Sequence, residues 1–126
     1  MLREGERETA ALLESTQGSY VRPPREQCKE KRWETPADDS NTIRTQTLIW
    51  TQNGRLVEFV VNLQVLTSDG WETIEYIDCC HGHCHRHSAG GAVQPIMQLD
   101  AVSDVKHAYS AAQPVITERI RIIRGK

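Results

Sequence analysis

Seven cysteine and histidine side chains fall within ten residues of this chain, in the run Asp78-Cys79-Cys80-His81-Gly82-His83-Cys84-His85-Arg86-His87. Imidazole and thiolate bind transition metals and exchange protons near neutral pH. Any chemistry in this chain is therefore expected here.

Metal binding comes first. The histidines recur every second residue, so an extended chain turns all four to one face. A helical chain instead makes His81/His85 and His83/His87 into pairs one turn apart, which can share one ion. Either conformation gathers two or three imidazoles. We expect a divalent transition metal, Zn2+ by donor chemistry, with His81, His85 and His87 as ligands and Cys80 or Cys84 as a further thiolate donor. Asp78 would orient one of the histidines through a hydrogen bond. Outside the cluster, only Cys28, His107 or an acid such as Asp100 is available as an additional ligand.

Metal-free readings stand beside this one. His81 and His85 can act as an acid/base pair for phosphodiester cleavage, with Arg86 holding the phosphate; that would make a small ribonuclease. Cys80 or Cys84, activated by a neighbouring histidine, can serve as a nucleophile. The plainest alternative has no ligand: Asp78, His81 and His85 form a hydrogen-bonded knot that fixes a loop in a structural or interaction protein.

The elements that must position the cluster are legible upstream of it. Residues 42–51 are rich in β-branched side chains and end at Asn53-Gly54, a pair suited to the positive φ angles of a tight hairpin. Residues 56–66 alternate, with Val57, Phe59, Val61, Leu63 and Val65 on one face and Glu58, Asn62 and Gln64 on the other. Ser68-Asp69-Gly70 makes a turn into a third strand over residues 71–78. The cluster then begins where that strand ends, and Gly82 gives the backbone room to turn. Trp50 and Trp71 are expected to pack on the strands.

Further on the period changes. Leu99, Val102, Val105, Tyr109 and Ala112 recur at helical spacing, with Asp100 or Ser103 placed to cap the start. Pro114 is expected to break or kink this helix, and residues 115–124 read as a second helical segment. The fold class is thus α+β: an antiparallel meander of three or more strands packed by C-terminal helical structure.

Composition bounds the rest. The 126 residues carry a net charge of −2 and 38% hydrophobic side chains, which favours neither nucleic acid nor an anionic membrane as a general partner. Residues 118–126 hold four basic groups against one acid, the pattern of a solvated helix end. Residues 1–40 mix nine acids and seven bases. They read as a poorly ordered or partly helical arm, with prolines at 23, 24 and 36 marking a linker, and residues 41–126 as one domain. The opening Met1-Leu2-Arg3-Glu4 starts no apolar run, and no stretch reaches membrane-spanning length; a cytoplasmic protein with reduced cysteines is expected.

Residues 71–87 (W-E-T-I-E-Y-I-D-C-C-H-G-H-C-H-R-H) resemble a family of small uncharacterised prokaryotic domains with the signature W-x-x-V-x-R-Y-D-x-x-H-G-x-x-H-x-[HD] after a β-hairpin. Asp78, His81, Gly82, His85 and His87 fall on its recurring positions. The resemblance extends over residues 42–126, and Tyr76-Ile77 replaces its Arg-Tyr pair. It implies that a shared activity rests on Asp78, His81, His85 and His87, with Cys79, Cys80, His83 and Cys84 on variable positions. Such domains are similar in arrangement to components of toxin–antitoxin loci, which implies RNA or a cognate antitoxin as partner under the nuclease reading.

Overall fold

The computed structural model describes residues 18–80 and 82–125. Its centre is a six-stranded antiparallel sheet whose spatial order follows the chain: β1 (Lys29–Pro36), β2 (Ile43–Gln52), β3 (Arg55–Thr67), β4 (Gly70–Cys80), β5 (His83–His87) and β6 (Val93–Gln98). One helix, α1 (Val102–Arg124), packs across one face. The α+β class expected from the pattern is what forms.

The β2–β3 hairpin turns at Asn53 and Gly54, with φ of 53° and 76°, the left-handed pair that matches strand twist. Alternation along β3 then sorts the sheet into two faces. Phe59, Val61 and Leu63 join Ile77, Cys79, Cys84 and Leu99 beneath Val105, Ala108, Ala112 and Ile116 of α1. Phe59 meets Tyr109 edge-on at 5.2 Å. Burial of this apolar surface is the main stabilising term.

The other face is polar. Asn62 donates to Gln46 Oε1 at 3.0 Å, and Gln64 donates to Thr73 Oγ1 at 3.1 Å. Trp50 is buried beneath the Arg25 guanidinium, 4.0 Å from its ring centroid, and Arg44 stands 4.1 Å above Trp71. Both tryptophans thus pack on strands, each carrying a cation on its π face.

Three expectations are revised. The sheet begins before residue 41: β1 lies in the segment read as linker and pairs with β2 from Lys29↔Thr51 to Pro36↔Arg44. Its sequence K-E-K-R-W-E-T-P has no apolar alternation because all eight residues are exposed, and charge on an edge strand discourages pairing with another chain. Pro114 does not divide the C-terminal part; α1 runs through it as one helix of 23 residues. Neither Asp100 nor Ser103 caps α1. The Asp104 carboxylate accepts the backbone N–H groups of Asp100 at 2.9 Å and Ala101 at 3.0 Å, satisfying donors that the first helical turn leaves open. Residues 4–17 of the arm, which read equally as a short helix or a frayed segment, lie outside the described residues. No described helix is long and apolar enough to cross a membrane.

Candidate metal centre

The described residues of the His/Cys run lie on the two strands of a hairpin. β4 continues through Cys79 and Cys80, and β5 returns at once with Cys80↔His83, Cys79↔Cys84, Asp78↔His85, Ile77↔Arg86 and Tyr76↔His87 as pairs. The tight connection contains Gly82 at φ +78°. A Cβ there would lie 2.1 Å from the Gly18 carbonyl oxygen, so only glycine fits. The Gly82 carbonyl accepts two backbone N–H groups, from Gly18 at 2.7 Å and Leu99 at 2.9 Å. The turn is thereby pinned to the segment that leads into α1.

Strand alternation then divides the run. Cys84 and Arg86 face α1, while His83, His85 and His87 line up on the polar face beside Asp78. One donor atom from each of Asp78, His85 and His87 lies within 4.8 Å of the other two. Asp78 Oδ1 is 3.1 Å from His85 Nε2 and 3.4 Å from His87 Nε2. Neither Asp78 Oδ1 nor His87 Nε2 has a hydrogen-bond partner among the described residues, although both atoms are buried. A buried polar atom left unpaired costs about 1–3 kcal/mol, and a cation shared by the two atoms would remove that cost.

The rings are held from both sides. Tyr76 stacks on His87 at 4.1 Å with planes 13° apart. His85 meets His87 at 4.4 Å, near edge-on, and His85 Nδ1 is 2.6 Å from His83 Nδ1. Burial raises the Asp78 carboxyl above its ordinary value, and the charge of His87 offsets part of that rise. The side chains of Asp78 and His87 keep 23% and 25% of their surface open, against 5% for His85, so the cluster is reached from the Asp78–His87 side.

Of the residues singled out in the sequence, the structure brings together Asp78, His85 and His87. His81 lies outside the described residues, as does the Cys80 side chain. Cys84 is fully buried in the core opposite Cys79. Its hydrogen bond to Cys79, together with burial, pushes the Cys79 thiol far up. Cys79 is therefore a neutral, inert thiol, and Cys84 is sequestered beside it in the same core. Arg86, expected to hold a phosphate beside His85, donates to Glu75 Oε1 at 2.5 Å and Gln94 Oε1 at 2.6 Å. It sits on the helix side, where Arg119 of α1 also grips Glu75 at 2.8 Å.

Two features escape sequence reasoning. Asp78 stands among the converging donors themselves rather than behind them, because its register partner is His85. His83 was not among the expected ligands, yet it touches His85 through a ring nitrogen; its two-residue spacing from His85 was the available signal.

The donor set decides which ions fit. Two imidazoles and a carboxylate suit zinc and the neighbouring first-row ions. For nitrogen and oxygen donors about 2.0–2.1 Å from a tetrahedral ion, donor–donor separations are roughly 3.3–3.4 Å; two of the separations here, 3.1 and 3.4 Å, lie near that range, and the third is within 4.8 Å. This His/Asp cluster is able to coordinate a metal ion.

No curated protein and no solved structure matches the chain. A family model does match, over residues 28–125, which takes in all six strands and the helix: the chain belongs to the family described as Domain of unknown function (DUF7718).

Proposed function

We propose that this protein is a metal-binding domain that holds one divalent ion, zinc, between Asp78 Oδ1, His85 Nε2 and an imidazole nitrogen of His87. One observation carries the reading. Asp78 Oδ1 approaches two imidazole nitrogens at 3.1 and 3.4 Å, yet it and His87 Nε2 lack hydrogen-bond partners among the described residues. A cation held between Asp78 Oδ1 and His87 Nε2 satisfies both atoms at once.

Three protein donors are the number found in sites that keep a position for an outside ligand, and an ion there supplies Lewis acidity. Asp78 contributes the negative charge that offsets part of the ion's own. Tyr76 fixes the His87 ring by stacking, and the β4–β5 register fixes Asp78 against His85. Zinc is our choice from the donor types alone, and iron(II) and manganese(II) compete for the same donor set.

Elemental analysis of tag-free protein purified without nickel resin tests this directly. We expect close to one equivalent of zinc, lost in Asp78→Asn and His87→Ala. Metal-free, folded wild-type protein that takes up no divalent ion on titration would refute the proposal.

A further inference from the structure

His83 and His85 lie on the same face of β5, both buried, with ring centroids 4.4 Å apart and planes inclined at 46°. Their Nδ1 atoms are 2.6 Å apart. Two ring nitrogens at that distance need one hydrogen between them: one nitrogen donates and the other accepts. Which of them donates is decided at the far side of His85.

The atom that His85 turns toward Asp78 is Nε2, at 3.1 Å. A neutral imidazole that binds through Nε2 must carry its hydrogen on Nδ1. We propose that His83 is a positioning residue of the metal site: it accepts the Nδ1–H of His85 and so holds that ring in the tautomer whose Nε2 can ligate. This rests on the metal reading above. His83 itself supplies no donor to the converging set of Asp78, His85 and His87.

The role is the one that carboxylates or backbone carbonyls commonly fill behind a ligating histidine. A histidine acceptor suits a strand, because residues two apart share a face and His83 follows the turn at Gly82 directly. Pinning of the Gly82 carbonyl by Gly18 and Leu99 fixes the start of β5. His83 is thus anchored where a freely moving loop residue would not be. Loss of the acceptor frees His85 to rotate or to change tautomer, and either outcome withdraws Nε2.

The test titrates zinc against a chromophoric chelator in wild type, His83→Leu and His83→Asn. The amide oxygen of asparagine stands close to the position of an imidazole Nδ1 and can accept the same hydrogen bond. We expect His83→Leu to bind zinc about 10–100-fold more weakly, and His83→Asn to recover most of that loss. Long-range 15N–1H spectra of zinc-loaded wild type should show His85 protonated at Nδ1 and bound through Nε2.

Equal affinity in His83→Leu and wild type would overturn the proposal, as would His85 bound through Nδ1 or an asparagine variant as weak as the leucine one. If His83→Leu does not fold, the asparagine variant and the wild-type spectrum decide. Wild-type protein that binds no zinc would instead overturn the metal reading itself, a result read before any variant is compared.

Discussion

Asp78 and His85 are cross-strand partners in β4 and β5, and the Asp78 Oδ1 atom lies 3.1 Å from His85 Nε2. Register alone brings a carboxylate from one strand against an imidazole from the next. His87, two residues along β5, completes the group, and the stacked Tyr76 ring braces it. A rigid sheet thereby holds donors that converge on one point.

The first prediction concerns the cost of keeping Asp78 there. Burial raises its folded-state carboxyl above the ordinary value, so ionisation works against folding in metal-free protein. The sign is opposite to that of a salt-bridged acid. The penalty is fully present above the folded value and is relieved as pH falls through it. Asp78→Asn should therefore stabilise metal-free protein at pH 8 by about 1 kcal/mol while abolishing metal uptake. Urea unfolding in chelator at pH 8 and pH 5 checks this: the gain should shrink at the lower pH. An asparagine variant less stable than wild type at pH 8 would show that the carboxylate is satisfied without metal.

Glu75 provides the opposite case. Burial pushes its carboxyl up, but hydrogen bonds from Arg119 and Arg86 outweigh that and hold it below the ordinary 4.5. Its contribution is present in full above the unfolded value and lost as pH falls through the folded one. Arg119→Ala leaves Arg86 as the partner of a buried carboxylate and should cost about 1.5–3 kcal/mol, the range for hydrogen bonds to a charged group. Glu75→Gln should flatten the acid limb of the stability profile below about pH 4.5. Thermal melts across pH 3–7 give both readouts.

Cys84 separates the sulfur-containing site expected from the sequence from the one formed on the polar face. Its side chain belongs to the core beneath α1. Cys84→Ala should leave metal stoichiometry unchanged and lower stability by about 1 kcal/mol through loss of packing. Loss of the metal in this variant would place a thiolate among the ligands.

Binding should also stabilise the fold, because the donors come together only when β4 and β5 pair. With free zinc at 100 times its Kd, mass action adds about 2.7 kcal/mol. The melting temperature should rise accordingly, and hydrogen exchange should slow most between Tyr76 and His87. An unchanged melting temperature at saturating zinc would mean that the ion binds folded and unfolded chains alike.

Much of this architecture is legible from residue order. Asn53-Gly54 and the alternation from Val57 to Leu63 define a hairpin without reference to anything distant. The helix is equally plain from Val105, Tyr109 and Ala112. β1 is not legible, because its Lys, Glu and Arg side chains meet solvent on both faces and the strand is held by backbone pairing with β2. Pro114 misleads for a related reason: the apolar stripe from Val105 to Ile116 keeps α1 continuous across the missing N–H.

The cluster shows the same division. Two-residue spacing of the histidines announces a shared face, but only if the chain is extended, and i, i+4 pairing argues equally for helix. Choosing between them requires β4 as a partner for β5. Once the strand forms, the period that aligns His83, His85 and His87 also sends Cys84 and Arg86 to the other side. The position of Asp78 among the donors depends on register across a two-residue connection, which no periodicity within either strand contains.

The zinc K-edge X-ray absorption spectrum of tag-free protein carrying one equivalent of zinc tests the metal centre most directly. We predict a shell of nitrogen and oxygen donors at about 2.0–2.1 Å with imidazole scattering, reduced by one imidazole in His87→Ala. A sulfur shell near 2.3 Å, or a spectrum of hydrated zinc with no imidazole contribution, would contradict a site built from Asp78, His85 and His87.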